Sequence, residues 1–292
     1  MAEQMDTKVV DPNKMRIVLI TQELESPFSK ALELGAARIS VKNNIGVDVW
    51  GTYRPNLNEI LKYMDIAIAA KVDGIIVQAM DGSEFIQKVQ KATEKGIPVI
   101  TVGLDAPLSL RKTYVGPNHN YEGEIIGTKV SERMKGQGMV CIVSGNKLTS
   151  FEKLRMDGVE KILSAFPAIK VVNVVASDNE LNQSKQLVNQ ILNQYPEIKV
   201  FVGLNAEAGI GIEQALRERV RMKEFSLYAF DDTPELRNMV DTGRITATLT
   251  NDGAAIGEKS VLLMQQWIHN IKLPLKMNEY TPVAFYQKIG NP

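Results

Sequence analysis

The chain is poor in the groups that most enzyme chemistry needs. Its 292 residues include one cysteine, Cys141, and two histidines, His119 and His269. An intramolecular disulfide is therefore impossible, and a zinc or Ser-His-Asp site would need unusual ligands. There is no HExxH, paired-cysteine or Walker A motif, and Ser144-Gly145 lacks the GxSxG context of a nucleophile elbow. Gly209 and Gly211 open a helical stretch without the third glycine of a dinucleotide fingerprint. Carboxylates remain, but no acid/base pair stands out. The 34 basic and 34 acidic residues cancel, and no basic run occurs, which argues against nucleic acid as the main partner. No apolar run approaches the ~20 residues of a membrane helix. Residues 1–14 are polar and read as a flexible arm, and Cys141, inside the strand-like Met139 to Val143, reads as packing.

What is present is a recurrence. Runs of aliphatic and β-branched residues each stop on a side-chain amide or carboxylate and are followed by a helical stretch: Ile75 to Val77 at Gln78, Phe201 to Leu204 at Asn205, Leu227 to Phe230 at Asp231. Strands buried on both faces of a parallel sheet read as continuous apolar runs, and ligands bind at their carboxyl ends. Polar groups are thus gathered where a small molecule binds. The order from Val72 to Asp105 returns from Ile198 to Asp231, with Gln78 and Asp105 spaced almost as Asn205 and Asp231 are. The chain reads as two similar α/β halves. The segment Leu104 to Asn120 is turn-rich, holds a short strand at Tyr114 to Gly116, and is the best candidate for a first crossing between domains.

Several local signatures then fall in one order: Ser26-Pro27-Phe28, Asp105-Ala106-Pro107 with Arg111, Tyr114-Val115-Gly116, Arg155 with Asp157-Gly158, Asn205, Phe230-Asp231 with Thr233-Pro234, and Gly243 to Thr250 leading to Asn251. Together they resemble the type I periplasmic sugar-binding receptors, the group containing ribose- and galactose-binding proteins and the effector domains of LacI-type repressors. The resemblance runs from Met15 to Tyr286. It implies an α/β, periplasmic-binding-protein-like fold of two Rossmann-like lobes with parallel sheets. Three crossings near Gly116, Asn251 and Thr281 would join residues 15–117 plus 252–281 to residues 118–251 plus 282–292, with sugar held in a cleft that closes.

The resemblance also implies a ligand set. Ser26, Phe28, Gln78, Arg155, Asn205, Asp231 and Asn251 match positions that contact sugar in ribose-type receptors. Amides, carboxylates and an arginine fork suit hydroxyls, which both donate and accept, and an aromatic face suits the apolar side of a ring. One departure stands out. Where ribose-type receptors carry an adjacent Asp-Arg pair, this chain has Gly103-Leu104, with Asp105 next. Either Asp105 reaches the ligand from a displaced turn, or this lobe binds its sugar differently, so pentose and hexose both stay open. The expected protein is a non-enzymatic, extracytoplasmic monosaccharide receptor without cofactor or metal, monomeric in isolation. It would present its closed form to a membrane ABC permease or a sensor kinase ectodomain, and its location implies a signal segment that this sequence does not contain. The rival readings are the effector domain of a LacI-type regulator and an α/β enzyme acting on a small polar substrate.

Overall fold

The computed structural model describes residues 14–145, 149–175, 181–219 and 224–288. Apart from Lys14, the arm expected over residues 1–14 lies outside them. The chain divides into two units, one running to Val115 and resumed by Gly253–Glu279, the other spanning Gly116–Asp252 and the chain from Tyr280 onward.

The first unit holds β1 (Arg16–Thr21), α1 (Pro27–Asn43), β2 (Gly46–Gly51), α2 (Leu57–Ala69), β3 (Gly74–Val77), α3 (Ser83–Glu94), β4 (Val99–Val102) and β5 (Thr113–Gly116). The second holds α4 (His119–Met134), β6 (Gln137–Ser144), α5 (Ser150–Leu163), β7 (Ala168–Val175), α6 (Leu181–Gln194), β8 (Val200–Gly203), α7 (Ala206–Glu218), β9 (Ser226–Phe230), α8 (Pro234–Asp241) and β10 (Ala247–Asn251). The chain then supplies α9 (Gly253–Ile268) and β11 (Asn278–Tyr280) to the first unit and β12 (Val283–Gln287) to the second.

Each unit is built on a six-stranded sheet, in the orders β11-β5-β4-β3-β1-β2 and β12-β10-β9-β8-β6-β7. The internal repeat is therefore a repeat of topology. The pairs β1/β2, β1/β3, β3/β4 and β4/β5 are parallel, as are β6/β7, β6/β8, β8/β9 and β9/β10, while β12 closes its sheet antiparallel to β10. The apolar runs are continuous because successive side chains feed opposite cores. Ile17 and Leu19 of β1 meet Leu32 and Ala36 of α1 and Ile256 of α9, whereas Val18 and Ile20 meet Ile60 of α2 and Phe85 of α3. In the second sheet Val140 and Ile142 face Ile126 of α4 and Val159 of α5, while Cys141 and Val143 face Val188 of α6 and Ile212 of α7. Cys141 is a core residue, and burial pushes its thiol up to about 12.

The topology also hands a helix across. α4 follows β5 of the first unit yet packs on α5 of the second, and α9 follows β10 of the second yet packs on α1 of the first. Both helix pairs approach closely over glycine. A Cβ on Gly123 would lie 2.0 Å from the Arg155 carbonyl oxygen, and one on Gly35 would lie 1.9 Å from that of Ala254.

Backbone register corrects the pairing that the sequence spacing suggests. Gln78 donates its N–H to the Ile20 carbonyl at 3.0 Å, as Leu204 does to that of Val143 at 2.9 Å. Gly103 donates to Val115 at 3.0 Å, as Asp231 does to Leu249 at 2.9 Å. Gln78 thus stands where Leu204 does, Ala79 where Asn205 does, and Asp231 answers to Gly103 rather than to Asp105. Both Gly103 (φ 66°) and Asp231 (φ 81°) occupy the left-handed region, which glycine enters freely and aspartate at some cost.

Candidate ligand-binding strand ends

In the second unit the carboxyl ends of β8 and β9 carry Asn205 and Asp231, and Arg155 joins them from the second turn of α5. Arg155 is 2% exposed. Its Nε donates to Glu122 Oε2 at 3.0 Å, its Nη1 to the Leu204 carbonyl at 2.8 Å and its Nη2 to Asp231 Oδ1 at 2.9 Å. The rings of Phe230 and Phe151 lie 4.5 Å and 5.2 Å from the guanidinium carbon, close enough for cation–π attraction. A guanidinium has five N–H donors, so one remains on each Nη for a further acceptor. Burial by itself would weaken the charge, but Asp231 and Glu122 outweigh it and raise the arginine pKa.

Asp231 and Asn205 are each held by a helix start. Asp231 Oδ2 accepts from the Ala206 N–H at 3.1 Å, at the head of α7, and the side chain keeps 35% of its surface exposed. The dipole of α7 favours a carboxylate there. Asn205 caps α7, its Oδ1 accepting from Ala208 N–H at 2.7 Å, while its Nδ2 donates to Glu152 Oε1 at 2.7 Å. That leaves the amide one N–H and one lone pair. Glu152 belongs to a capping box with Thr149 at the start of α5, is 1% exposed, and also accepts from Gly145 N–H at 2.7 Å. Asn251 ends β10 with a buried Oδ1 that has no hydrogen-bond partner among the described residues.

Glu122, on α4, completes the set. It is fully buried, and its Oε2 accepts from both Arg155 and His119 Nδ1, the latter at 2.8 Å. Burial would raise its pKa, but the charge of Arg155 and the bond from His119 overcome burial and hold it at about 2. Because the folded pKa lies below the usual 4.5, the stabilisation is complete above that value and is lost as pH falls toward 2. The shift corresponds to about 3 kcal/mol. Thermal unfolding from pH 7 to pH 3 should show wild type converging on Glu122→Gln, and a gap that stays constant with pH would remove Glu122 from the acid response.

The first unit's strand ends are differently furnished. The Gln78 side-chain oxygen accepts from Gln22 N–H at 2.9 Å. Ser26 caps α1, accepting from Ser29 N–H at 3.2 Å and donating to Ser29 Oγ at 3.0 Å. Phe28 is half-buried and packs over Gly103, where a Cβ would lie 2.7 Å from the ring. Asp105 is drawn inward. Its Oδ1 accepts from Thr101 Oγ1 at 2.8 Å, Ala106 N–H at 2.7 Å and Arg111 Nε, and its Oδ2 from Arg111 Nη2 at 2.7 Å. Arg111 in turn donates to the Met277 carbonyl at 2.7 Å and to Asn278 Oδ1 at 2.9 Å. The Asp105–Arg111 pair locks the turn after β4 to the segment that forms β11.

Arg155, Asn205 and Asp231 are thus brought together in one unit, and Phe28 and Gln78 stand near Gly103 in the other. The buried Glu122 and Glu152 escaped the sequence reading. Thr149-x-x-Glu152 is a capping-box signature that pointed to the second, and Asn118 before His119 is a helix-start signal for α4 that pointed to the first. His119, read as part of a crossing loop, is the first residue of α4. Among the described residues no three His, Cys, Asp or Glu side chains are grouped to hold a metal ion, and no helix is long and apolar enough to cross a membrane.

Known proteins share this plan. The D-ribose/D-allose-binding protein of Pseudomonas aeruginosa is 23% identical over 81% of this chain and 77% of its own. The crystal structure of GanP, a glucose-galactose binding protein from Geobacillus stearothermophilus, superposes with a TM-score of 0.89 at 28% identity, covering 96% of this chain and 99% of that one. The XylFII–LytSN complex contains a chain with a TM-score of 0.83 at 26% identity, covering 94% of this chain and 98% of that one. The sequence model of the periplasmic binding protein domain matches residues 17–270, nearly all of both sheets with their strand-end groups, and on that match the chain belongs to the periplasmic binding protein family.

Proposed function

We propose that this protein is an extracytoplasmic monosaccharide receptor that closes on its sugar and presents it to a membrane partner, an ABC permease or a sensor kinase ectodomain. The observation that carries this reading is the fixed set Arg155, Asp231 and Asn205, whose remaining donors and lone pairs point to hydroxyl groups as the acceptors and donors they lack. Phe28, Gln78 and Asn251 contribute the remaining contacts, while Ser26 and Asp105 shape the loops that carry them. The sugar shifts the protein toward the closed form by its differential affinity for that form. The proteins of similar sequence named for ribose, allose, xylitol and apiose support a pentose, hexose or alditol ligand. No step of the reading involves bond-making, in keeping with a family of binding proteins.

A thermal-shift panel of common pentoses, hexoses and alditols tests it. A ligand that binds only the folded chain at a hundredfold excess over Kd stabilises by about 2.7 kcal/mol, and small-angle scattering on the same samples should show a smaller radius of gyration with the sugar that shifts Tm. A shift with amino acids or nucleotides and none with any sugar would overturn the reading.

A further inference from the structure

We infer that Glu122 is a specificity-determining residue: as the second carboxylate on Arg155, it keeps the binding arginine from recruiting anionic sugars such as uronates. The inference rests on the sugar-receptor reading above and goes beyond it, since Glu122 need not touch the ligand.

The argument is one of charge count and geometry. Arg155 is buried among two phenyl faces, Phe230 at 4.5 Å and Phe151 at 5.2 Å, so water screens it poorly. A lone arginine in such a place, with an N–H free on each Nη, is the fork that binds carboxylates in two-point fashion. Here the fork is already compensated twice, by Asp231 from the side that keeps surface exposed and by Glu122 from the fully buried side. Glu152 adds a third carboxylate through Asn205, and among the described residues its donors are the neutral groups of Gly145, Thr149 and Asn205. The other titratable group in contact is His119, which shares Glu122 Oε2 with Arg155. The single guanidinium charge of Arg155 thus faces three carboxylates, Asp231, Glu122 and Glu152. A neutral hydroxyl can still take the two spare N–H groups, but a sugar carboxylate would bring a fourth negative charge into a poorly screened site. Among the described residues Glu122 Oε1 has no hydrogen-bond partner, so the carboxylate makes its bonds to Arg155 and His119 through Oε2 alone. A neutral side chain of the same shape could hold the bond to Arg155 Nε.

The test compares matched neutral and acidic sugars, D-glucose with D-glucuronate and D-galactose with D-galacturonate, alongside the pentose panel, by titration calorimetry on the full chain. Wild type should bind a neutral sugar and show no measurable heat with either uronate. Glu122→Gln should shift the uronate-to-neutral affinity ratio at least tenfold toward the uronate, while Glu122→Asp, which keeps the charge, should retain wild-type discrimination. If Glu122→Gln does not fold, Asp231→Asn removes the other compensating charge from a partly exposed position and must move the ratio the same way. Variants that weaken neutral sugar and uronate in parallel, with the ratio unmoved, would show Glu122 to be structural and overturn the inference. A wild-type chain that binds no sugar of either kind would instead overturn the receptor reading itself.

Discussion

Asp231→Ala should weaken sugar binding about a hundredfold, a loss of roughly 3 kcal/mol, while the protein still unfolds in one cooperative transition per unit. Asp231 is the partly exposed member of the Arg155 pair, and its second oxygen is held by the head of α7. Removing it deletes a charged acceptor and frees Arg155 Nη2 from its aim. The fold survives because Arg155 keeps Glu122 and the Leu204 carbonyl. Some loss of Tm is expected, since alanine tolerates the left-handed backbone at 81° less well than aspartate does. Calorimetry that returns near wild-type affinity would take Asp231 out of the site.

Gly123→Ala should cost more in stability than any strand-end change. The added Cβ would sit 2.0 Å from the Arg155 carbonyl oxygen and 2.9 Å from the Gly158 Cα, both backbone atoms that no rotamer change can move aside. α4 and α5 must separate, which costs about 3 kcal/mol and lowers Tm by roughly 6 to 12 °C in a unit of this size. The same separation draws Glu122 away from Arg155, so sugar affinity should fall in the variant even well below its Tm. Thermal unfolding and calorimetry on one preparation measure both. A stable variant with weakened binding, or a destabilised one with intact binding, would break the link between this helix contact and the arginine.

Much of the architecture was legible because buried parallel strands advertise themselves. Ile17 to Ile20, Ile75 to Val77 and Phe201 to Val202 are apolar without a break, since both faces of each sheet are covered. The strand-end residues Asn205 and Asp231 were legible for the same reason: a polar residue that stops such a run is conspicuous. The supporting carboxylates were not. α4 sets Ile126 and Val130 among glycines and charges, a pattern too weak in apolar contrast to single out Glu122 as buried. Glu152 announced a helix start, but its burial depends on Asn205, a residue 53 positions later in the chain. Asp105 misled through spacing. Counting residues aligned it with Asp231, whereas hydrogen-bond register aligns Gly103, and only the register decides which side chain stands at the strand end.

The exchanged helices set a timetable for folding. In the second unit α4 and α5 are near neighbours in the chain, Arg155 reaching Glu122 across 33 positions, and everything but β12 lies in one continuous stretch. In the first unit α1 must wait for α9, its Arg38 meeting Glu258 across 220 positions. Closing so long a loop slows the contacts that depend on it. During synthesis the leading half of the chain therefore emerges with one face of its sheet covered by α1 without α9, and it can be completed only after the trailing half has been made. The half that is translated first must wait for chain made after the other half is nearly complete.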